Sequence, residues 1–304
     1  MADFSALLEG CQGPVAFGVG HDGSLLAAAR TSDESAVEVK GGATFPKSRL
    51  KRPSDYLVVS LCDGDQRRIV VRSESLSVSH VQPVPGGVLL AGARCHWRSG
   101  DPEKNAVVCD GEGRPVKRFC LGDGIEDLRV SPDGTIWVSY FDEGVFGNYG
   151  WGHHTAPPVG ASGLVAFDPD GGVRFTYDAE KAGTDSICDA YATNVCGDDD
   201  VWICFYTDFR LVHVVRGTYE VWPTGLAGMR AIAVRDNRVL FFGDYQNKSR
   251  ARVLELGPRR ASSQVDEFDV VDPAGETFDT AWVCGVRDRL FLFRDRQVFT
   301  LEDW

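Results

Sequence analysis

The sequence predicts an all-β fold built from repeated four-stranded antiparallel sheets. A pattern of strand, tight turn and strand recurs along the whole chain, and its clearest copy is VSPDGTIWVSYFD at residues 130–142. Asp-Gly between two runs of alternating hydrophobic residues is typical of a β-hairpin. No stretch of about 12 residues keeps a helical hydrophobic period, so helices are expected to be minor. These observations indicate a repeat protein made of short strands.

Six copies of the pattern can be aligned on a valine that precedes each turn. These anchoring residues are Val19, Val84, Val130, Val195, Val234 and Val286. A second strand, a variable loop and a third strand follow each valine, and a polar turn then leads to a fourth strand. Four short strands per repeat, in repeats of roughly 40–50 residues, are typical of propeller blades. The sequence therefore predicts a six-bladed β-propeller that forms a single domain over residues 1–304.

The third and fourth strands of each repeat can be assigned from short apolar segments. The third strands are predicted in YLVVSLC, NAVVC, GLVAF, RLVHVV, ARVLEL and QVFTL. The fourth strands are predicted in RRIVVR, PVKRFCL, GVRFTY, TYEVW and FDVV. Only 18 residues follow Val286, which is enough for two more strands but not for three. We therefore expect the N-terminal segment FSALLEG (4–10) to be the outer strand that closes the last blade, which removes an exposed sheet edge.

Composition and charge exclude several classes of protein. Hydrophobic residues make up 43% and charged residues 25% of the chain, as in ordinary soluble domains. The longest apolar runs are too short for a membrane helix, and the N-terminus lacks the pattern of a secretory signal, so we expect a cytoplasmic protein with no membrane partner. The net charge of −12 repels phosphate backbones, so no nucleic-acid partner is expected.

The nine cysteines are odd in number and include no C-x-x-C pair. Disulfide frameworks are typical of short secreted chains, and zinc sites need clustered ligands. We therefore expect reduced thiols and no structural zinc. Separately, we expect the closed propeller to be monomeric.

The blade pattern, above all VSPDGTIW at 130–137, resembles that of six-bladed β-propellers in the broad group that includes NHL-repeat and gluconolactonase-type proteins. The resemblance covers essentially the whole chain, and it implies the fold rather than a function. Gluconolactonase-type enzymes hold a metal in the channel with carboxylate and asparagine side chains. No such set can be matched here residue by residue, so no metal and no other cofactor are expected.

Propeller topology predicts where a site would lie. Each first strand begins beside the central channel at one face, called the top. The row four residues before the anchoring valines is mostly polar or aromatic, and it consists of Val15, His80, Glu126, Tyr191, Arg230 and Trp282. The long insertion at 141–163 is expected on the same face. It and the neighbouring segments add the candidates Tyr149, Trp151, His153, His154, Trp97 and Asp189.

Three functions remain open at this point. In the first, the top face binds a small molecule or peptide through Tyr191, Arg230, Trp282, Trp151, Tyr149, Asp189 and Trp97. In the second, a hydrolase, lyase or cyclase uses His80, His153 or His154 as general base, with Glu126 or Asp189 to orient it or act as acid. In the third, the rim is a scaffold for protein partners. The insertion could also be a plain lid that excludes water.

Overall fold

The computed structural model describes residues 2–40, 42–152, 155–279 and 282–304. Its strands form six four-stranded antiparallel sheets, which are the blades of a six-bladed β-propeller, and the helices are few and short. The fold class predicted from the sequence is therefore confirmed. Across these residues, every helix is too short or too polar to span a bilayer.

Seven strands make up the N-terminal part of the chain. They are β1 (Ala2–Asp3), β2 (Val15–Val19), β3 (Leu25–Arg30), β4 (Val37–Lys40), β5 (Ala43–Pro46), β6 (Arg49–Cys62) and β7 (Asp65–Leu76). Blade one has the strand order β2-β3-β6-β7, and β4 pairs with β5 in a separate hairpin.

Blades two and three follow, and each keeps the predicted order of four consecutive blade strands. Blade two contains β8 (His80–Val84), β9 (Gly87–Ala91), β12 (Ala106–Asp110) and β13 (Pro115–Phe119), with the small hairpin β10 (Trp97–Arg98) and β11 (Asp101–Pro102) inserted. Blade three contains β14 (Ile125–Val130), β15 (Ile136–Tyr140), β16 (Leu164–Phe167) and β17 (Val173–Thr176), with the helix α1 (Asp142–Phe146) inserted.

The last three blades complete the repeat. The helix α2 (Ala179–Ala182) precedes blade four, which contains β18 (Asp189–Gly197), β19 (Asp200–Tyr206), β20 (Leu211–Val215) and β21 (Thr218–Trp222). Blade five contains β22 (Ala231–Arg235), β23 (Arg238–Phe242), β24 (Arg250–Leu256) and β25 (Ser262–Asp269), and a 3-10 turn at Pro258–Arg260 lies before β25. Blade six contains β26 (Trp282–Val286), β27 (Arg289–Arg294), β28 (Gln297–Leu301) and β1.

The blades fall into two compact units. Blades one to three form the N-terminal unit, and blades four to six form the C-terminal unit. In each unit, successive residues of a second strand point to opposite faces of the sheet, and both faces are covered. Leu89 and Leu90 lie in different hydrophobic clusters of the N-terminal unit, as do Phe241 and Phe242 in the C-terminal unit. This two-sided burial explains why the second strands are so apolar.

The N-terminal strand closes blade six, but it does so with other residues than predicted. Ala2 and Asp3 pair with Val298 and Gln297 of β28, which gives the order β1-β28-β27-β26. Residues 5–10, part of the predicted strand 4–10, form turns. Phe4 and Leu8 are both fully buried, and the Leu8 amide donates to the Phe4 carbonyl at 2.9 Å. A helical turn places residues i and i+4 on the same side, so it buries Phe4 and Leu8 together. A strand would instead bury every second residue.

The fourth strand of blade five also differs from its prediction. The predicted segment FDVV covers 268–271, whereas β25 spans Ser262–Asp269. Six of the eight residues of β25 are exposed and the other two are half-buried. An outer strand that faces solvent needs no apolar alternation, so a search for apolar segments finds only its end.

The first strands of neighbouring blades approach one another through their backbones. A Cβ atom added at Gly18 would stand 1.8 Å from the carbonyl oxygen of Val81, and one at Gly285 would stand 1.7 Å from that of Ile232. Only glycine permits such an approach. Next to Gly285, at 3.1 Å from the place of its missing Cβ atom, lies the side-chain nitrogen of Asn194, which is fully buried.

The Asn194 amide links blade four to blades five and six. Its Nδ2 donates to the carbonyls of Ile232 and Arg287 at 2.9 and 2.8 Å, and its Oδ1 accepts from the Arg287 amide at 2.8 Å. The side chain therefore hydrogen-bonds backbone groups of blades five and six, and the Arg287 carbonyl also accepts from the Val234 amide at 2.7 Å.

We expect Asn194→Ala to lower the free energy of unfolding by about 2–5 kcal/mol, because the Ile232 carbonyl and the Arg287 amide both lose the Asn194 hydrogen bond and each loss costs about 1–3 kcal/mol. Urea denaturation measures the change. The same substitution at the exposed turn residue Asn237 is the control and should change stability by less than about 0.5 kcal/mol. Equal effects at the two positions would contradict the role given to Asn194.

Candidate functional site

His80 begins β8 at the top edge of blade two, where first strands start. Its Nδ1 lies 2.9 Å from the Ser79 hydroxyl, and its Nε2 lies 3.3 Å from the backbone carbonyl oxygen of Glu126. Burial lowers the pKa of His80, and the nearby Asp127 carboxylate opposes that effect. The ring is therefore neutral near pH 7, and it can donate from Nε2 while Nδ1 accepts from Ser79.

Glu126 meets His80 through its backbone rather than its carboxylate. The register of β14 against β15 shifts between Ile125 and Asp127, so Glu126 is the extra residue of a β-bulge. The bulge leaves the Glu126 side chain exposed and aims its carbonyl at the His80 ring. The N-terminal unit thus brings together the two predicted residues, but the contact is not the carboxylate–imidazole pair that we expected.

The insertion after blade three's second strand folds back on the connection that follows β9. The Trp97 amide donates to the Tyr149 carbonyl at 2.9 Å, and the indole centroids of Trp97 and Trp151 lie 5.0 Å apart. Trp151 is buried, and its Nε1 donates to the Cys95 carbonyl at 2.8 Å. Trp151 therefore anchors the insertion from inside, while Tyr149 and Trp97 remain half exposed.

Arg94 is the charged centre of this region. Its guanidinium is buried, it contacts the Asp123 carboxylate at 2.8 Å, and it forms a second ion pair with Glu143 of α1. The Tyr149 ring lies 4.0 Å from the guanidinium carbon, within range of a cation–π contact. One buried cation therefore holds α1, the Tyr149 segment and the β13–β14 connection together.

Asp123 is the titratable partner in this cluster. Burial raises its pKa to about 6, although Arg94 and the amide of Cys95, which donates to Oδ1 at 2.7 Å, favour the charged form. The sequence predicts Trp97 of this region as a site residue, but it predicts neither Arg94 nor Asp123. Both come from short connections whose partners depend on how the blades meet, and no local pattern indicates that.

His153 and His154, predicted as candidates for catalysis, lie outside the described residues. Their part in any site remains a prediction.

The C-terminal unit presents a different arrangement, which we call the tyrosine surface. Its members are aromatic residues at the top edges of blades four and five: Tyr191, Tyr206, Phe209 and Tyr245. The Tyr191 and Tyr245 hydroxyls lie 2.8 Å apart, and Phe209 packs edge-on against both rings at 4.9 and 5.9 Å between centroids. Tyr206 is 45% and Tyr245 60% exposed, so the cluster ends in an aromatic face open to solvent.

The other predicted residues of the C-terminal unit serve different purposes. Arg230 donates from Nη1 to the carbonyls of Lys248 and Phe278, each at 3.0 Å, so it fixes two connections of that unit. Trp282 is 38% exposed and packs against Phe293. Asp189 is half-buried and pairs across the sheet with Tyr206, which places it beside the tyrosine surface.

A cavity of about 730 Å³ lies at the opposite edge of blades one and two, among the turns that join their strands. Exposed acids and arginines share its wall, including Asp22, Asp65 and Arg67. Among the residues described, no three His, Cys, Asp or Glu side chains are grouped so that they could hold a metal ion.

Comparison with known proteins relates this chain to others only through structure. No family model matches the sequence, and no curated protein matches it. A streptogramin B lyase structure matches over 97% of this chain and 84% of its own, with 12% identity and a TM-score of 0.48. The β-propeller domain of Myceliophteria thermophila Cps50 (Swd1) matches over 91% and 85%, with 10% identity and a TM-score of 0.49. A gluconolactonase-like protein matches over 84% of each chain, with 13% identity and a TM-score of 0.40.

The Asp123 carboxyl should make stability depend on pH. Its pKa is about 6 in the folded protein against a usual 3.8, so the folded state binds the proton more tightly. Between these values the free energy of unfolding falls as pH rises, and above them the contribution is constant. We expect the difference in unfolding free energy between the wild type and Asp123→Asn to fall by up to about 3 kcal/mol from about pH 4 to pH 7. Denaturant titrations at several pH values measure it, and a difference that does not change with pH would contradict the assignment.

Proposed function

We propose that the chain is a binding module that captures a small molecule or a peptide on the tyrosine surface. The observation that carries the proposal is the exposure of Tyr206 and Tyr245 beside the hydroxyl pair of Tyr191 and Tyr245. Aromatic side chains with one apolar face and one polar tip suit recognition, because they offer a large rigid area and a hydrogen-bonding group.

Backbone strain at the base of the surface supports the same proposal. Phe209 has a φ of +50°, an uncommon conformation for a bulky residue. It is buried beneath the ring of Tyr191, with Tyr206 and Tyr245 around it. Strained residues cluster at active sites and ligand-binding sites.

The charge of the protein narrows the class of ligand. The net charge is −12, which repels anions and attracts cations over the surface as a whole. Arg230, a predicted ligand-binding residue, uses Nη1 for two backbone carbonyls. We therefore propose a neutral or cationic ligand with a flat or apolar group that stacks on tyrosine.

We expect the double variant Tyr206→Ala, Tyr245→Ala to bind at least about tenfold more weakly than the wild type, because each lost ring contact is worth about 0.5–1.5 kcal/mol beyond its buried area. A library of sugars, aromatic amines and short peptides, screened by saturation-transfer NMR, supplies the ligands, and titration supplies the affinities.

The control is Phe146→Ala, which removes an equally exposed aromatic side chain (62%) from the N-terminal unit. It should leave binding unchanged. Ligands that bind the double variant as well as the wild type would refute the proposal, and hits confined to long peptides would favour a protein partner over a small molecule.

A second candidate function, ester hydrolysis, rests on Ser79 and His80. Ser79 is exposed, its Oγ lies 2.9 Å from His80 Nδ1, and it accepts from the Ala93 amide at 2.8 Å. A neutral imidazole could take the proton of that hydroxyl as the oxygen attacks a carbonyl. The Glu126 carbonyl would hold the ring in the required tautomer.

A fluorophosphonate probe tests this candidate. We expect it to label Ser79 in the wild type, to label nothing in Ser79→Ala, and to react about 100-fold more slowly with His80→Gln, since general-base help is worth about that much. Ser162→Ala, which removes a half-buried hydroxyl of the same unit, should label normally. Absence of labelling at Ser79 in the wild type would exclude the hydrolase and leave the binding proposal untouched.

A further inference from the structure

Two cysteines meet at the top edge of blade two. The Sγ atoms of Cys95 and Cys120 lie 3.6 Å apart, although 25 positions separate them in the chain. The sheet explains the meeting, because Ala91 at the end of β9 and Phe119 at the end of β13 both pair with Ala106 of the strand between them. The connections that leave these two strands therefore start side by side.

Buried hydrogen bonds hold the two connections in place. Asn105 donates from Nδ2 to the carbonyls of Gly92 and Gly122, each at 2.8 Å. Asp123, which lies in the connection between β13 and β14, accepts from the Cys95 amide at 2.7 Å. The proximity of the two sulfurs is thus built into the backbone and does not depend on side-chain rotation alone.

The two thiols are not equivalent. Cys95 is fully buried, and its Sγ lies 3.1 Å from the carbonyl oxygen of Glu103, whereas Cys120 is only half-buried and its Sγ accepts from the Gly122 amide at 3.3 Å. The hydrogen bond between the two thiols lowers the pKa of Cys120, and the same bond together with burial raises the pKa of Cys95. The accessible sulfur is therefore also the better nucleophile.

We propose that Cys95 and Cys120 are a redox-active dithiol that forms a reversible disulfide by exchange with a small-molecule disulfide. The Cys120 thiolate attacks one sulfur of the oxidant, which gives a mixed disulfide and expels one thiolate. Cys95 then loses its proton and attacks Cys120 Sγ, which closes the protein disulfide and expels the second thiolate. The two protein protons end on the two released thiols, and the oxidant's disulfide bond is the one reduced.

The disulfide would act on the aromatic insertion. The Cys95 carbonyl accepts the Trp151 indole N–H at 2.8 Å, and its amide binds Asp123, the partner of Arg94. A bond from Cys95 to Cys120 therefore links the residue that accepts the Trp151 indole N–H covalently to the β13–β14 connection.

Oxidised glutathione, added to the full-length native protein, tests the proposal. After the reaction the protein is unfolded in denaturant and alkylated, and we expect two of the nine thiols to resist alkylation, a mass loss of about 2 Da, and a peptide crosslink between Cys95 and Cys120. Phenylarsine oxide, which bridges two neighbouring thiols, should protect the same pair in the unmodified chain. Nine thiols that all stay reactive, or a crosslink between other cysteines, would overturn the proposal.

Variants separate the roles of the two residues. Cys95→Ser should stop at one bound glutathione on Cys120. Cys120→Ser should react with oxidised glutathione much more slowly than the wild type, because it lacks the attacking thiol. Cys188→Ser, at another half-buried cysteine, should form the crosslink as the wild type does. If Cys95→Ser gains no glutathione while its melting temperature is unchanged, the assignment of Cys120 as the attacking thiol is wrong.

Discussion

The packing of blades four, five and six depends on one buried amide. Asn194 satisfies a carbonyl of β22 and both backbone groups of Arg287, so that the inner strands of these three blades share a single hydrogen-bonding centre. Hydrophobic clusters on either side of each sheet supply most of the burial, but they are not directional. The directional hydrogen bonds of the Asn194 amide fix the position of one inner strand relative to the next, which the hydrophobic clusters cannot do.

The two units present different chemistry at their top edges. In the N-terminal unit, the buried Arg94 forms ion pairs with Asp123 and Glu143 that hold the connections together. The buried Trp151 hydrogen-bonds the Cys95 carbonyl beneath them. In the C-terminal unit, the aromatic rings of the tyrosine surface pack on one another and are exposed to solvent on their outer side, with Tyr245 the most exposed. A region closed by ion pairs is rigid and sensitive to protons, whereas an open aromatic face is suited to contact.

Local patterns account for most of the fold but for little of the candidate sites. Turn residues between alternating apolar runs located the blades, because hairpins are encoded by neighbours in sequence. The need for a closing strand predicts a strand at 4–10, but Phe4 and Leu8 are four residues apart and both are buried, which a turn achieves and a strand does not. The Arg94–Asp123 pair and the Cys95–Cys120 pair lie 29 and 25 residues apart, and only the order of strands β9, β12 and β13 brings them together.

Close backbone approach at Gly18 and Gly285 has a consequence for how such a protein can diversify. Where a carbonyl oxygen occupies the place of a side chain, no other residue can be accommodated without moving a neighbouring blade. These two positions are therefore closed to gradual substitution, and new specificity is more easily acquired in the connections at the edges. Libraries for directed evolution of this scaffold should leave the inner strands intact and randomise the loops.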